Sequence, residues 1–117
     1  MAEVYTEIAT SFTTADTTSP VSLAYDGREL IVSFTNYGTP LQVIVFSDVR
    51  AFAWTGWDDA PAEAAYDRVC EVTGSAFLAP WESFVVASLQ FRHFKLGFNA
   101  EAKFLDVIAT RMEHKNA

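Results

Sequence analysis

The sequence predicts an α+β fold: a single domain over residues 1–117, built on a curved, mostly antiparallel meander sheet of about six strands with one or two short helices. Three observations carry this expectation. Apolar residues alternate with period two through most of the chain from Val21 onward, and short turns bearing Gly, Pro or Asp separate the runs. Helical apolar spacing appears only in residues 2–14 and 80–88. The chain lacks the strand–helix–strand alternation that lays down a parallel sheet.

In chain order, Val4, Ile8 and Phe12 recur every fourth residue with Tyr5 and Ala9 alongside, which makes an apolar stripe on a short helix, although the threonines there favour extended backbone. Residues 16–19 and Pro20 read as a connector. Val21, Leu23 and Tyr25 then alternate, Asp26-Gly27 tolerates the backbone angles of a tight turn, and Leu30, Val32 and Phe34 alternate on the return. Residues 36–40, NYGTP, form a second turn before a run from Leu41 to Trp54. The polar pair Ser47-Asp48 inside that run predicts a bulge or bend. Residues 55–62 read as a loop, and residues 66–72 as a strand. Gly74-Ser75 breaks the pattern, and Pro80 stands in the first turn of a short helix over residues 80–88, weakened by two consecutive valines. Residues 111–117 are a polar tail expected to fray.

The last hairpin is the most informative stretch. With a four-residue loop at residues 99–102, Phe98 faces Lys103, Leu96 faces Leu105, Lys95 faces Asp106 and Phe94 faces Val107. Phe94, Leu96, Phe98, Leu105 and Val107 then share a core face, whereas His93, Lys95, Phe104, Asp106 and Ile108 share a mixed one.

Half of the 117 residues are hydrophobic, which is enough to close a core without metals or disulfides. Eight Lys plus Arg against fifteen Asp plus Glu leave a net charge of -7, which argues against nucleic acid as a partner. The lone Cys70 reads as a small buried hydrophobe. No apolar stretch approaches a membrane span, and MAEVYTEIATSF lacks the order of a secretory signal, so a reducing cytoplasm is expected, with no membrane association.

No catalytic signature emerges. There is no GxSxG, no phosphate-cradling glycine loop, and no CxxC or HExxH spacing, so no cofactor, no metal and no catalytic residue is expected. Two surfaces stand out as binding candidates. Trp54, Trp57, Asp58 and Asp59 crowd one loop, and Trp81 repeats the aromatic–acidic mixture. They suggest a non-catalytic protein-binding domain that engages itself as a homodimer or a basic partner, such as a toxin neutralised by an immunity-type protein. The other candidate is a pocket near His93, Lys95 and Asp106 in a small-molecule-binding or hydrolytic domain, since His93 could serve as acid or base. The plainer reading of that trio is a Lys95–Asp106 pair on a half-wet sheet face, with His93 packed beside Ile108.

Overall fold

A computed structural model describes residues 3–18, 20–56, 68–81, 85–86, 89–98 and 103–116. It overturns the α+β expectation: the described residues are 61 % strand and 3 % helical, arranged as two antiparallel sheets. The strands are β1 (Val4–Glu7), β2 (Ser22–Tyr25), β3 (Leu30–Thr35), β4 (Leu41–Ser47), β5 (Ala51–Gly56), β6 (Val69–Thr73), β7 (Val85–Val86), β8 (Leu89–Gln90), β9 (Arg92–Phe98), β10 (Lys103–Ala109) and β11 (Arg111–Asn116). One sheet has the order β1-β6-β9-β10-β5, the other β11-β4-β3-β2, and β7 with β8 forms a separate two-stranded ribbon.

Both expected helices are replaced for identifiable reasons. At the N-terminus, β-branched Val4 and Thr6 sit in β1, which pairs antiparallel with β6. Ile8 and Phe12 still pack against the core, but from irregular chain after β1, where contacts can recur at intervals without a helical turn. Around Pro80 the described residues form a single 3-10 turn, Ala79–Trp81, and the two valines that weaken a helix become β7 instead. Residues 82–84 and 87–88 lie outside the described residues. The tail expected to fray is strand β11, which pairs along β4 from Arg111↔Ser47 to Asn116↔Gln42 and sends Met112 to the core.

The last hairpin has the expected register: Phe98↔Lys103, Leu96↔Leu105, Lys95↔Asp106 and Phe94↔Val107. Its loop, 99–102, lies outside the described residues. The hairpin from β2 to β3 also forms, with Gly27 at φ 96° and the Asp26 carboxylate accepting from the backbone N–H groups of Arg28 and Glu29.

The polar pair Ser47-Asp48 marks where the chain leaves one sheet for the other. Ser47 pairs with Arg111 and Ala51 with Ile108, so residues 48–50 stand against residues 109–110. One strand therefore carries an extra residue, a bulge centred on Asp48, whose φ of 53° bends the backbone. Thr110 fastens the corner: its N–H donates to the Ser47 carbonyl at 3.0 Å, and its hydroxyl donates to the Asp48 carboxylate at 3.0 Å with the Ser47 carbonyl a further acceptor at 3.2 Å. That hydroxyl, followed by Arg28, holds the Asp48 carboxyl below its usual range despite the opposing effect of burial. The inner faces meet in a core of Leu30, Val32, Phe34, Ile44 and Phe46 from one sheet and Val69, Phe94, Leu96, Phe98, Leu105 and Val107 from the other. Edge-to-face contact of Phe34 with Phe98, 5.3 Å between centroids, ties the layers together.

Candidate functional site

Because side chains alternate across a strand, the residues that do not enter the inter-sheet core point to the outer face of the five-stranded sheet. Strand pairing lines them up in rows: Glu7, Cys70, Lys95, Asp106 and Ala53 in one, Tyr5, Val72, His93, Ile108 and Ala51 in the next. The mixed face of the last hairpin is thus the centre of this outer surface. It is not half-wet. His93 is 3 % exposed, and Lys95 and Asp106 are each 7 % exposed.

The segment after β6 supplies part of the cover. Gly74, at φ 73°, turns the chain, and Leu78, Phe91 and Ile108 form a second apolar cluster with Ala51, Phe77 and Trp81 packed on it. Ser75 begins this segment at 2 % exposure. Its hydroxyl accepts from the Leu78 N–H at 3.0 Å, as a turn-capping serine does, and lies 2.8 Å from His93 Nδ1.

Beneath it the ionisable groups form one network. His93 Nε2 is 2.6 Å from Asp106 Oδ1, and Lys95 Nζ donates to both oxygens of the same carboxylate at 3.1 and 3.3 Å. A carboxylate can only accept, so the His93 proton belongs on Nε2; the Ser75 hydroxyl then donates to Nδ1 while accepting from Leu78. This arrangement uses every hydrogen of the Ser75–His93 pair. Burial pushes the Asp106 carboxyl up, but the His93 hydrogen bond and the Lys95 ammonium outweigh it and leave the group below its ordinary value. Lys95 Nζ also stands 5.0 Å from the centre of the Phe104 ring.

Serine, histidine and aspartate in a line look like a nucleophilic triad, yet the chemistry differs. Ser75 is sealed, and its hydroxyl is committed at both ends, so it has neither the access nor the free geometry of an attacking oxygen. What the arrangement can do is present a rigid polar floor.

Above that floor lies a cleft of about 280 Å³ lined by Glu3, Tyr5, Ala53, Thr55, Phe77, His93, Lys95 and Asp106. Tyr5 belongs to one edge strand of the sheet and Ala53 and Thr55 to the other, so the sheet curls around the cleft. Phe77 forms a wall, its ring 5.3 Å from that of His93. At the rim the Tyr5 hydroxyl donates to Glu3 at 2.6 Å.

No protein family, curated protein or solved structure gives a match to this chain. The site must be read from its own atoms.

The structure brings His93, Lys95 and Asp106 together as one unit. It separates Trp54 from Trp81. Trp54 lies partly buried on the inter-sheet core, 5.9 Å from the Phe98 ring, with Lys103 Nζ 5.8 Å from its own ring. Trp81 packs beside Phe91 on the outer-face cluster, 6.2 Å away. Trp57, Asp58 and Asp59 lie outside the described residues. Burial raises the Cys70 thiol above its usual range.

Sequence reasoning missed Ser75, Phe77, Tyr5, Thr55 and Glu3. A serine opening the run SAFLAP carries the signal of a turn cap, which was available. Its pairing with a histidine on another strand was not.

Proposed function

We propose that this chain is a non-catalytic small-ligand-binding domain whose site is the cleft above His93, Lys95 and Asp106. The observation that carries the reading is a concave surface floored by a buried, hydrogen-bonded ionisable network. Burying a lysine and an aspartate costs several kcal/mol before their attraction offsets it, and apolar residues of similar size would stabilise a sheet face at least as well. Retaining the network at the base of a cleft fits recognition. The sealed Ser75 and the absence of any other hydroxyl on His93 among the described residues favour binding over turnover.

The test is a chemical-shift titration of 15N-labelled protein with a panel of small probes: a methyl glycoside, benzylamine, benzoate and N-acetyltyrosine amide. The expected result is at least one probe whose shifts cluster at Tyr5, Ala53, Thr55, Phe77 and Lys95. A panel that moves nothing there overturns the reading.

A further inference from the structure

The chemistry lining the cleft is specific enough to name a ligand class. We infer that the cleft takes a neutral, polyhydroxylated ring, a single saccharide residue, with its hydroxyls on Lys95 and Thr55 and a ring face on Phe77. This inference rests on the cleft being a binding site.

Charge is the first argument. Lys95 and Asp106 neutralise each other, His93 is tied by hydrogen bonds to Asp106 and Ser75, and Glu3 adds one negative charge at the rim. An anion would meet Glu3 and Asp106; a cation would meet Lys95 at the floor. A neutral ligand avoids both repulsions. Hydrogen-bonding capacity is the second. An ammonium has three N–H groups, and among the described residues the acceptors of Lys95 are the two oxygens of one carboxylate, with the Phe104 ring 5.0 Å from Nζ, so one N–H can turn from the ring to a ligand oxygen. Thr55, whose hydroxyl is 3.5 Å from Asp106 Oδ2, is at the limit of that bond and can turn to donate or accept. The Glu3 carboxylate offers acceptor positions beyond the one used by Tyr5. Hydroxyls, which both donate and accept, suit this mixture better than carbonyls, which only accept, or ammonium groups, which only donate.

Shape is the third argument. The aromatic wall of Phe77 faces a polar floor, and a sugar ring is apolar on its C–H faces and polar around its edge. A volume of about 280 Å³ sits at the low end of small-molecule pockets, which leaves room for one ring rather than a chain of them.

The experiment titrates the protein with methyl glycosides of glucose, galactose, mannose and N-acetylglucosamine to about 50 mM, the range that reveals millimolar binding. Benzylamine, benzoate and N-acetyltyrosine amide serve as charged and carbonyl-bearing controls. The expected result is saturable shifts at Tyr5, Thr55, Phe77 and Lys95 with at least one glycoside, weakened at least tenfold by Lys95→Met. Thr55→Val and Phe77→Ala should weaken the same titration, which keeps the test decisive if Lys95→Met does not fold. Saturation by a control probe and by no glycoside overturns the saccharide assignment and leaves the cleft as a site. Silence from every probe overturns both.

Discussion

Replacing Asp106 by Asn removes the one carboxylate shared by His93 and Lys95 while keeping its volume, so nearly all of the loss is electrostatic. The Asn oxygen can still accept from His93. The Lys95 ammonium, with only 9 % of its side chain exposed, has no carboxylate left. Breaking a buried pair from one side costs about 3–5 kcal/mol, a large part of a small domain's stability. Proton release sets an upper bound. The protein can avoid an unpaired buried charge by releasing the proton, and an ordinary lysine does so near pH 10.4, so that escape costs about 4.6 kcal/mol at pH 7 and about 1.9 kcal/mol at pH 9. The destabilisation should therefore shrink by about 1–3 kcal/mol between those pH values. Urea denaturation of wild type and Asp106→Asn at both pH values measures it. Adding Lys95→Met to Asp106→Asn removes the stranded charge and should return most of the loss. A loss below about 1 kcal/mol at both pH values, or no recovery in the double variant, would falsify the buried network.

Asp106 also predicts an acid limb. Its carboxyl is held below the ordinary value, so the folded state binds that proton less readily than the unfolded state. The stability it contributes is complete above the ordinary aspartate range, about pH 4, and is lost as pH falls through the depressed value; Asp106→Asn should flatten the acid limb of a stability–pH curve. Cys70 is fully buried with its thiol raised, so labelling by a thiol reagent should track global unfolding, and fast labelling of native protein would contradict its placement. Thr110→Val deletes the hydroxyl that bonds Ser47 and Asp48 at the corner and should cost about 1–3 kcal/mol by thermal or urea melting. Gly27→Ala meets no atom within 4 Å but forces a side chain into φ 96°, so a loss of about 1 kcal/mol is expected and a gain would mean the turn differs.

The last hairpin was legible because its two faces differ so sharply. A one-residue slip would carry Phe94, Leu96, Leu105 and Val107 out of the core, so the apolar set fixes the register by itself. The Asp26-Gly27 turn was legible for a local reason, a glycine at positive φ. What failed depended on distance. Val4, Ile8 and Phe12 look helical in sequence, but the partner that makes Val4 a strand residue is Thr73. Met112 is the only large apolar residue of β11, so nothing local separated a strand from a tail; its pairing with Phe46 did. Alternation also tells which face a side chain takes without telling which sheet owns the strand, and so two sheets read as one. For the site, the pattern placed His93 near Asp106. Burial of the trio came from a covering segment whose path sequence spacing does not encode.

The corner at Asp48 and Thr110 has a consequence for how the molecule comes apart. Two long stretches of chain, residues 41–56 and 103–116, run side by side through both sheets, each lending one half to either layer. Neither layer has a closing pair of strands of its own. Opening one drags the shared ribbon and exposes the other's inner surface, so no half of the protein can be released while the rest stays shut. Amides in β4 and β10, on opposite sheets, should then exchange with deuterium at one common free energy, as a single cooperative unit would require.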